Sequence, residues 1–125
     1  MKIEVKKILG RDLGVLRVRF WERDGSTVWI LDEIGKEKPI TVGFVVKGGV
    51  IENVKVLIFR ESRGDEVRHP FFLEQFKGAR LGPSGKLDRD IDGISGASLS
   101  VRALKKLSRL ALYFHSQSGV DNGPP

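Results

Sequence analysis

The stretch ITVGFVVKGGVIENVKVLIFR, residues 40–60, contains two strand-forming runs separated by Gly48-Gly49. The first run, residues 40–47, is almost entirely apolar, which is typical of a strand inside a sheet. The second run bends at Asn53, where we predict a bulge. Beyond that point a clean alternation follows at Val54, Val56 and Ile58. Because paired glycines favour a tight turn, the stretch predicts an antiparallel hairpin.

A second hairpin is predicted on the N-terminal side of this stretch. Residues 13–21 and 27–31 are rich in β-branched and aromatic side chains, and Asp24-Gly25 between them is a strong turn signal. Residues 1–9 alternate loosely and are predicted as an edge strand. The charged residues that follow position 31 are predicted as a loop leading into the first hairpin.

Two helices are predicted after the sheet. A short helix over residues 71–77 is bounded by Pro70 and Gly78. A long helix over residues 98–117 carries an apolar face formed by Leu99, Ala103, Leu104, Leu107, Leu110, Ala111 and Phe114. Its opposite side carries a basic stripe formed by Arg102, Lys105, Lys106 and Arg109.

Strands followed by a terminal helix indicate an α+β fold. We predict a curved, mainly antiparallel sheet, with the short helix and the long amphipathic helix packed on one face. A chain of 125 residues suits one domain, which we place at residues 1–117, with a flexible tail at 118–125. The chain has no cysteine, which excludes disulfides, thiolate catalysis and cysteine-ligated metal sites.

The net charge is +6, and the basic stripe is its clearest cluster. We interpret the stripe as a solvated surface or a contact for an acidic partner. An alternative is a basic interaction module for nucleic acid or an anionic membrane. Basic and aromatic residues do not interleave as single-strand binders require, so nucleic acid is not expected. The sequence has no apolar run that could cross a bilayer or serve as a signal peptide.

The string DGISGAS, residues 92–98, opens directly onto the long helix. The N-terminus of a helix carries unpaired N–H groups and a partial positive charge, which together hold phosphate well. Gly96 lets the backbone approach a ligand closely, and Ser98 places a hydroxyl beside it. The alternative is that Ser95 or Ser98 only caps the helix.

Four segments resemble, in order, the motifs of the FMN-binding domain family, which carries flavin in sodium-translocating NADH:quinone oxidoreductases and Rnf-type complexes. They are the hairpin from GFVV (43–46) to VLIF (56–59), ESRG (61–64), FLEQFKG (72–78) and DGISGAS (92–98). The last three are similar to the family's E-(T/S)-x-G, F-x-x-Q-F-x-G and D-x-x-(S/T)-G-A-(T/S). The resemblance extends from residue 42 to about residue 115.

The resemblance implies an electron-carrying domain with FMN as its cofactor. The residues that it assigns to the flavin are Glu61, Ser62, Gly64, Gln75, Asp92, Ile94, Ser95, Gly96, Ala97 and Ser98. Ser98 stands where most members with covalent flavin have Thr, so it is the candidate acceptor of an FMN phosphoester. A flavin transferase would then use FAD as the donor. The alternative is noncovalent FMN binding, as in a flavin-buffering protein.

The resemblance also implies a redox partner protein or membrane complex, and an extracytoplasmic, membrane-associated location. Trp21, Trp29 and Tyr113 are candidate stacking partners for the flavin ring, although we expect Trp29 to belong to the core. Core positions are also expected for Phe72 and Phe76, which share one face of the short helix. The two histidines, His69 and His115, lack metal-ligand spacing and are interpreted as ordinary.

Overall fold

The computed structural model of the protein describes residues 18–34, 38–62 and 64–118. Four antiparallel strands form one sheet in the order β1-β2-β3-β4. They are β1 (Val18–Arg23), β2 (Ser26–Ile34), β3 (Pro39–Lys47) and β4 (Val50–Phe59). The predicted strand at residues 1–9, the first part of the predicted strand at 13–21 and residues 119–125 of the predicted tail lie outside the described residues.

Both predicted hairpins are present, and the α+β fold is confirmed. Strand β2 is longer than predicted, because it pairs with β3 as far as Ile34 opposite Pro39. Within this extension Glu33 is buried opposite Ile40, although the charged sequence predicted a loop. Strand pairing therefore overrode the local preference of these charged residues.

Strand β4 contains two bulges. Beside the predicted bend, Val45 pairs with Asn53 and Val46 with Ile51, so Glu52 has no opposite residue. A second shift leaves Leu57 unmatched, which the sequence did not predict. Since a bulge reverses the alternation of side chains, Ile58 is 45% exposed rather than facing the core with the valines before it.

The chain after the sheet forms a 3₁₀ turn at Asp65–Arg68, the helix α1 (Pro70–Leu73), a second 3₁₀ turn at Glu74–Phe76 and the long helix α2 (Ser98–Gln117). The short helix was predicted as one unit over residues 71–77. Its second half tightens into the 3₁₀ turn, and the amide of Lys77 donates to the carbonyl of Glu74.

Helix α2 packs on β2 and β3, and the core lies between them. Trp29, Phe72 and Phe76 are buried as predicted, and the two phenylalanine rings meet edge to face at 5.6 Å. Leu99 was predicted on the apolar face of α2 but is 43% exposed, whereas Val101 and Leu112, which were not assigned to that face, are buried.

His115 of α2 is fully buried beside β2, although it was interpreted as ordinary from its spacing. Its Nδ1 lies 2.6 Å from Thr27 Oγ1, to which Trp29 Nε1 also donates at 2.7 Å. This polar cluster sits inside the apolar core. Within the described part of the chain, no helix has both the length and the apolarity that crossing a bilayer requires.

Candidate functional site

The helix α2 begins without a side-chain cap. Its N-cap residue is Ala97, which makes no side-chain hydrogen bond to the first turn and whose own amide donates to Ile94 at 3.0 Å. Gly96 has φ of 82°, so it turns the chain into the helix in the left-handed region. The alternative in which Ser95 or Ser98 caps the helix is therefore wrong. N–H groups in the first turn of a helix lack intrahelical acceptors and suit an anion.

A cavity of about 340 Å³ opens at this helix start, and we call it the helix-start cavity. It joins the segment that leaves β4 to the first turn of α2. Its lining contains many of the residues predicted for the flavin. The lining residues are Glu61, Ser62, Gly64, Gly96, Ala97, Ser98, Leu99 and Ser100.

A close contact holds the two sides of this cavity together. Gly64 has φ of 90°, and a Cβ atom built on it would lie 2.8 Å from Ser100 Oγ. Only glycine therefore lets this segment pack against α2 here. On the β4 side, Glu61 Oε1 accepts a hydrogen bond of 2.5 Å from the backbone amide of Lys38, which ties the cavity wall to the start of β3.

A second cavity of about 440 Å³ lies beside the first half of the 92–97 loop, and we call it the aromatic cleft. It brings together further residues predicted for the flavin. Its lining consists of Glu66, His69, Phe71, Phe72, Gln75, Asp92, Gly93 and Ile94. Ser95 is exposed and lines neither cavity. The candidate stacking residues Trp21 and Tyr113 also line neither of them.

Gln75 fixes the loop that separates these cavities. Its Oε1 accepts from the backbone amide of Asp92 at 2.7 Å, and its Nε2 donates to the carbonyl of Asp92 at 3.2 Å. Nε2 also lies 3.3 Å from the carbonyl of Phe72. The side chain thus acts as a positioning residue for the 92–97 loop, and its contact with a ligand stays a prediction.

A third cavity of about 300 Å³ runs along α2, and we call it the basic groove. Its lining consists of Ser98, Val101, Arg102, Lys105, Lys106 and Arg109. The sequence predicted a stripe that is solvated or contacts an acidic partner. Arg109 is instead half-buried, and its Nε donates to the carbonyl of Gly85 at 2.8 Å. Burial also lowers the pKa of Arg109.

Ser98 lines both the helix-start cavity and the basic groove, a connection that the sequence analysis missed. The spacing of Ser98 and Arg102, four positions apart on one helix, was the available signal. The basic stripe is therefore a neighbour of the predicted phosphate position.

A sequence model of the FMN-binding domain matches residues 35–113, which include β3, β4, all four motifs and most of α2. The chain is therefore a flavoprotein. It belongs to the FMN-binding domain family, and FMN is its cofactor. The match begins at residue 35, earlier than the limit of residue 42 that the motifs indicated. It ends at residue 113, slightly before their limit at about residue 115. No curated protein and no solved structure matches the chain at a significant level.

The geometry fits this cofactor. A Cβ atom built on Gly96 would meet no atom within 4 Å, so the backbone here faces open space that a phosphate can fill. The uncapped helix start and the Ser98 hydroxyl supply hydrogen-bond donors for a dianion. Phe71, Phe72 and Ile94 give the aromatic cleft the apolar surface that a flavin ring requires.

Proposed function

We propose that this protein is an electron-transfer domain whose FMN phosphate binds at residues 96–98. The observation that carries the proposal is the uncapped start of α2, where Gly96 faces open space. The ring lies against residues 61–64 and the segment at 71–78, beside the aromatic cleft. FMN supplies the redox chemistry, while the chain binds it, orients it and adjusts its potential.

Each part of the chain has a definite task in this proposal. The amides at the start of α2 and the Ser98 hydroxyl hold the phosphate. Ser62 and Glu61 offer polar contacts to the ribityl chain or the ring from the wall of the helix-start cavity. The side chain of Gln75 keeps the 92–97 loop in position between the two cavities.

The test of FMN binding is a titration of the flavin-free protein, followed by flavin fluorescence. We expect quenching that saturates at one FMN per chain. Riboflavin, which lacks the phosphate, is the matched ligand and should bind at least about tenfold more weakly, because it loses charge-assisted hydrogen bonds. The absence of saturable FMN binding would refute the proposal. Equal affinities for FMN and riboflavin would show that the phosphate does not bind at the helix start.

We also propose that Ser98 accepts FMN covalently when a flavin transferase is present. The Ser98 Oγ–phosphorus bond forms, the phosphoanhydride bond of FAD breaks, AMP leaves with the bonding electron pair, and the transferase takes the hydroxyl proton. Ser98 is exposed at the helix start, whereas Ser100 is only 4% exposed. Ser95 is exposed but lines neither of the two cavities at the loop, so it is the weaker candidate.

Coexpression with a flavin transferase and mass mapping of the peptides tests this assignment. The ester should be found on Ser98 and should persist in Ser95→Ala, the matched control. Ser98→Ala should lose the ester while keeping dissociable FMN, and Ser98→Thr should restore it. An ester on another serine would contradict the assignment. If no transferase loads the wild-type protein, the chain is the noncovalent FMN binder of the alternative hypothesis.

The proposed electron carrier requires a redox partner, either a protein or a membrane complex. Because the chain carries a net charge of +6, we expect anionic reactants to approach it faster than cationic ones. Reoxidation of reduced FMN by ferricyanide should slow as salt is added, while reoxidation by hexaammineruthenium should not. The reverse order of salt effects would contradict an acidic partner.

A further inference from the structure

The basic groove is a recessed cationic surface whose four basic side chains the proposed FMN site does not use. Four basic side chains line it, and no acidic side chain is among its lining residues. Arg109 is held in place by the carbonyl of Gly85, so part of the groove is preorganised. From Ser98 to Arg109 the groove follows α2 for about 16 Å, at the rise of an α-helix.

The groove continues from the proposed phosphate position, because Ser98 lines both cavities. A ligand whose first phosphate lies at Ser98 can therefore extend directly toward Arg102, four positions further along the same side of the helix. Arg and Lys side chains favour phosphate oxygens as partners, and a guanidinium can bind them with two parallel hydrogen bonds.

We propose that the basic groove is a subsite for the second phosphate of a flavin dinucleotide, so that the chain binds FAD with its AMP half along α2. This inference rests on the proposed function, since it takes the first phosphate to lie at Ser98. The groove is a half-open cavity of about 300 Å³ lined by four basic side chains, which suits an anionic ligand of nucleotide size.

The test compares FMN and FAD binding to the flavin-free protein by calorimetry. FAD should bind about tenfold more tightly than FMN, because its second phosphate gains charge-assisted hydrogen bonds. The double variant Arg102→Gln/Lys105→Gln should remove this advantage and leave the Kd of FMN within about twofold. AMP should compete with FAD and not with FMN.

The matched control is Lys47→Gln/Lys55→Gln, which removes the same charge from exposed positions of the sheet. This control should keep the preference for FAD, and circular dichroism checks that both variants fold. Equal affinities for FMN and FAD in the wild-type protein would overturn the inference but leave the proposed function intact. Failure of both flavins to bind would overturn the function itself.

Two further outcomes also decide against the dinucleotide. If the double variant at Arg102 and Lys105 weakens FMN and FAD by the same factor, the groove serves the FMN phosphate. If FMN and FAD bind alike while poly-glutamate binds the wild-type protein and not the double variant, the groove belongs to an acidic protein partner.

Discussion

At the scale of single residues, the buried His115 is the feature with the clearest chemical consequence. Thr27 Oγ1 accepts a hydrogen bond from the Trp29 indole N–H and also contacts His115 Nδ1. These three side chains form one small polar cluster. His115 Nε2 is buried without a hydrogen-bond partner among the described residues. A charged imidazole is therefore unfavourable here, and burial lowers the pKa of His115 below its ordinary value of 6.5.

The lowered pKa predicts acid sensitivity. Below about pH 6.5 the unfolded chain binds a proton at this imidazole and the folded chain does not, so the free energy of unfolding falls as pH decreases. The slope is at most about 1.4 kcal/mol per pH unit for one group, and it vanishes above that range, where both states are neutral. Urea denaturation at several pH values measures it.

The control variants separate His115 from the other titrating groups. His115→Gln should be less stable overall but should lose part of the acid slope between pH 5 and 6.5. His69→Asn removes the exposed histidine, whose Nδ1 accepts from the amide of Phe71, and keeps an N-cap side chain. The loss of slope in His115→Gln beyond that in His69→Asn is the contribution of His115, and equal slopes in all three proteins would show that His115 contributes nothing.

Gly96 gives a second prediction at this scale. In Gly96→Ala the new Cβ projects into open space beside the proposed phosphate, so we expect FMN binding to weaken by about tenfold or more. The left-handed backbone also costs about 1–2 kcal/mol of stability. Gly25→Ala is the matched control, because Gly25 has φ of 81° and open space around it but lies in the β1–β2 turn. FMN affinity that falls equally in both variants would contradict the prediction.

At the scale of elements, the site depends on how the 92–97 loop is held between α1 and α2. The side-chain amide of Gln75 makes hydrogen bonds to both the N–H and the carbonyl of Asp92. This pair of bonds resembles the one between two hydrogen-bonded residues of an antiparallel sheet. The exit of β4 also approaches α2 closely, because Gly64 leaves no room for a Cβ atom beside Ser100. The helix-start cavity therefore forms where two separate segments of the chain meet, the exit of β4 and the start of α2.

Removing the Gln75 side chain should loosen the 92–97 loop more than it destabilises the fold as a whole. Gln75→Ala should cost about 1–3 kcal/mol, because backbone groups of Asp92 lose their partner, and FMN affinity should fall with it. Gln117→Ala, at the exposed end of α2, is the matched control and should change neither quantity measurably. Hydrogen exchange at the amide of Asp92, which donates to Gln75 Oε1, should become faster and measures the loosening directly. Unchanged exchange in Gln75→Ala would refute the positioning role.

At the scale of the whole molecule, ligand binding and folding are coupled, because the proposed site exists only when the sheet and α2 are assembled. FMN at a hundredfold excess over its Kd should stabilise the fold by about 2.7 kcal/mol. For a domain of this size the melting temperature should rise on the order of 10 °C. A thermal shift assay measures it.

Riboflavin at the same concentration as FMN is the control. It should raise the melting temperature less, because it lacks the phosphate. Equal shifts for FMN and riboflavin would show that the phosphate contributes nothing to binding. No shift with either flavin, alongside an intact melting transition, would mean that the folded chain does not bind flavin in this form.

The sequence by itself determined the local elements, because their signals lie within a few neighbouring residues. Alternation and turn glycines predicted both hairpins, and the 3.6-residue period predicted α2 at its observed limits. The ordered motifs indicated the family to which the chain belongs. Where local preference and pairing disagreed, as at Glu33 and at the bulge beside Leu57, the prediction failed.

The tertiary structure alone decided which distant residues meet. The pairs Gly64 with Ser100, Gln75 with Asp92, and Arg109 with Gly85 join segments that no local pattern relates. The same holds for His115, whose Nδ1 contacts Thr27 Oγ1, 88 positions away in the sequence. Such contacts follow from how the sheet and α2 pack against each other, and periodicity within one segment carries no information about a partner in another.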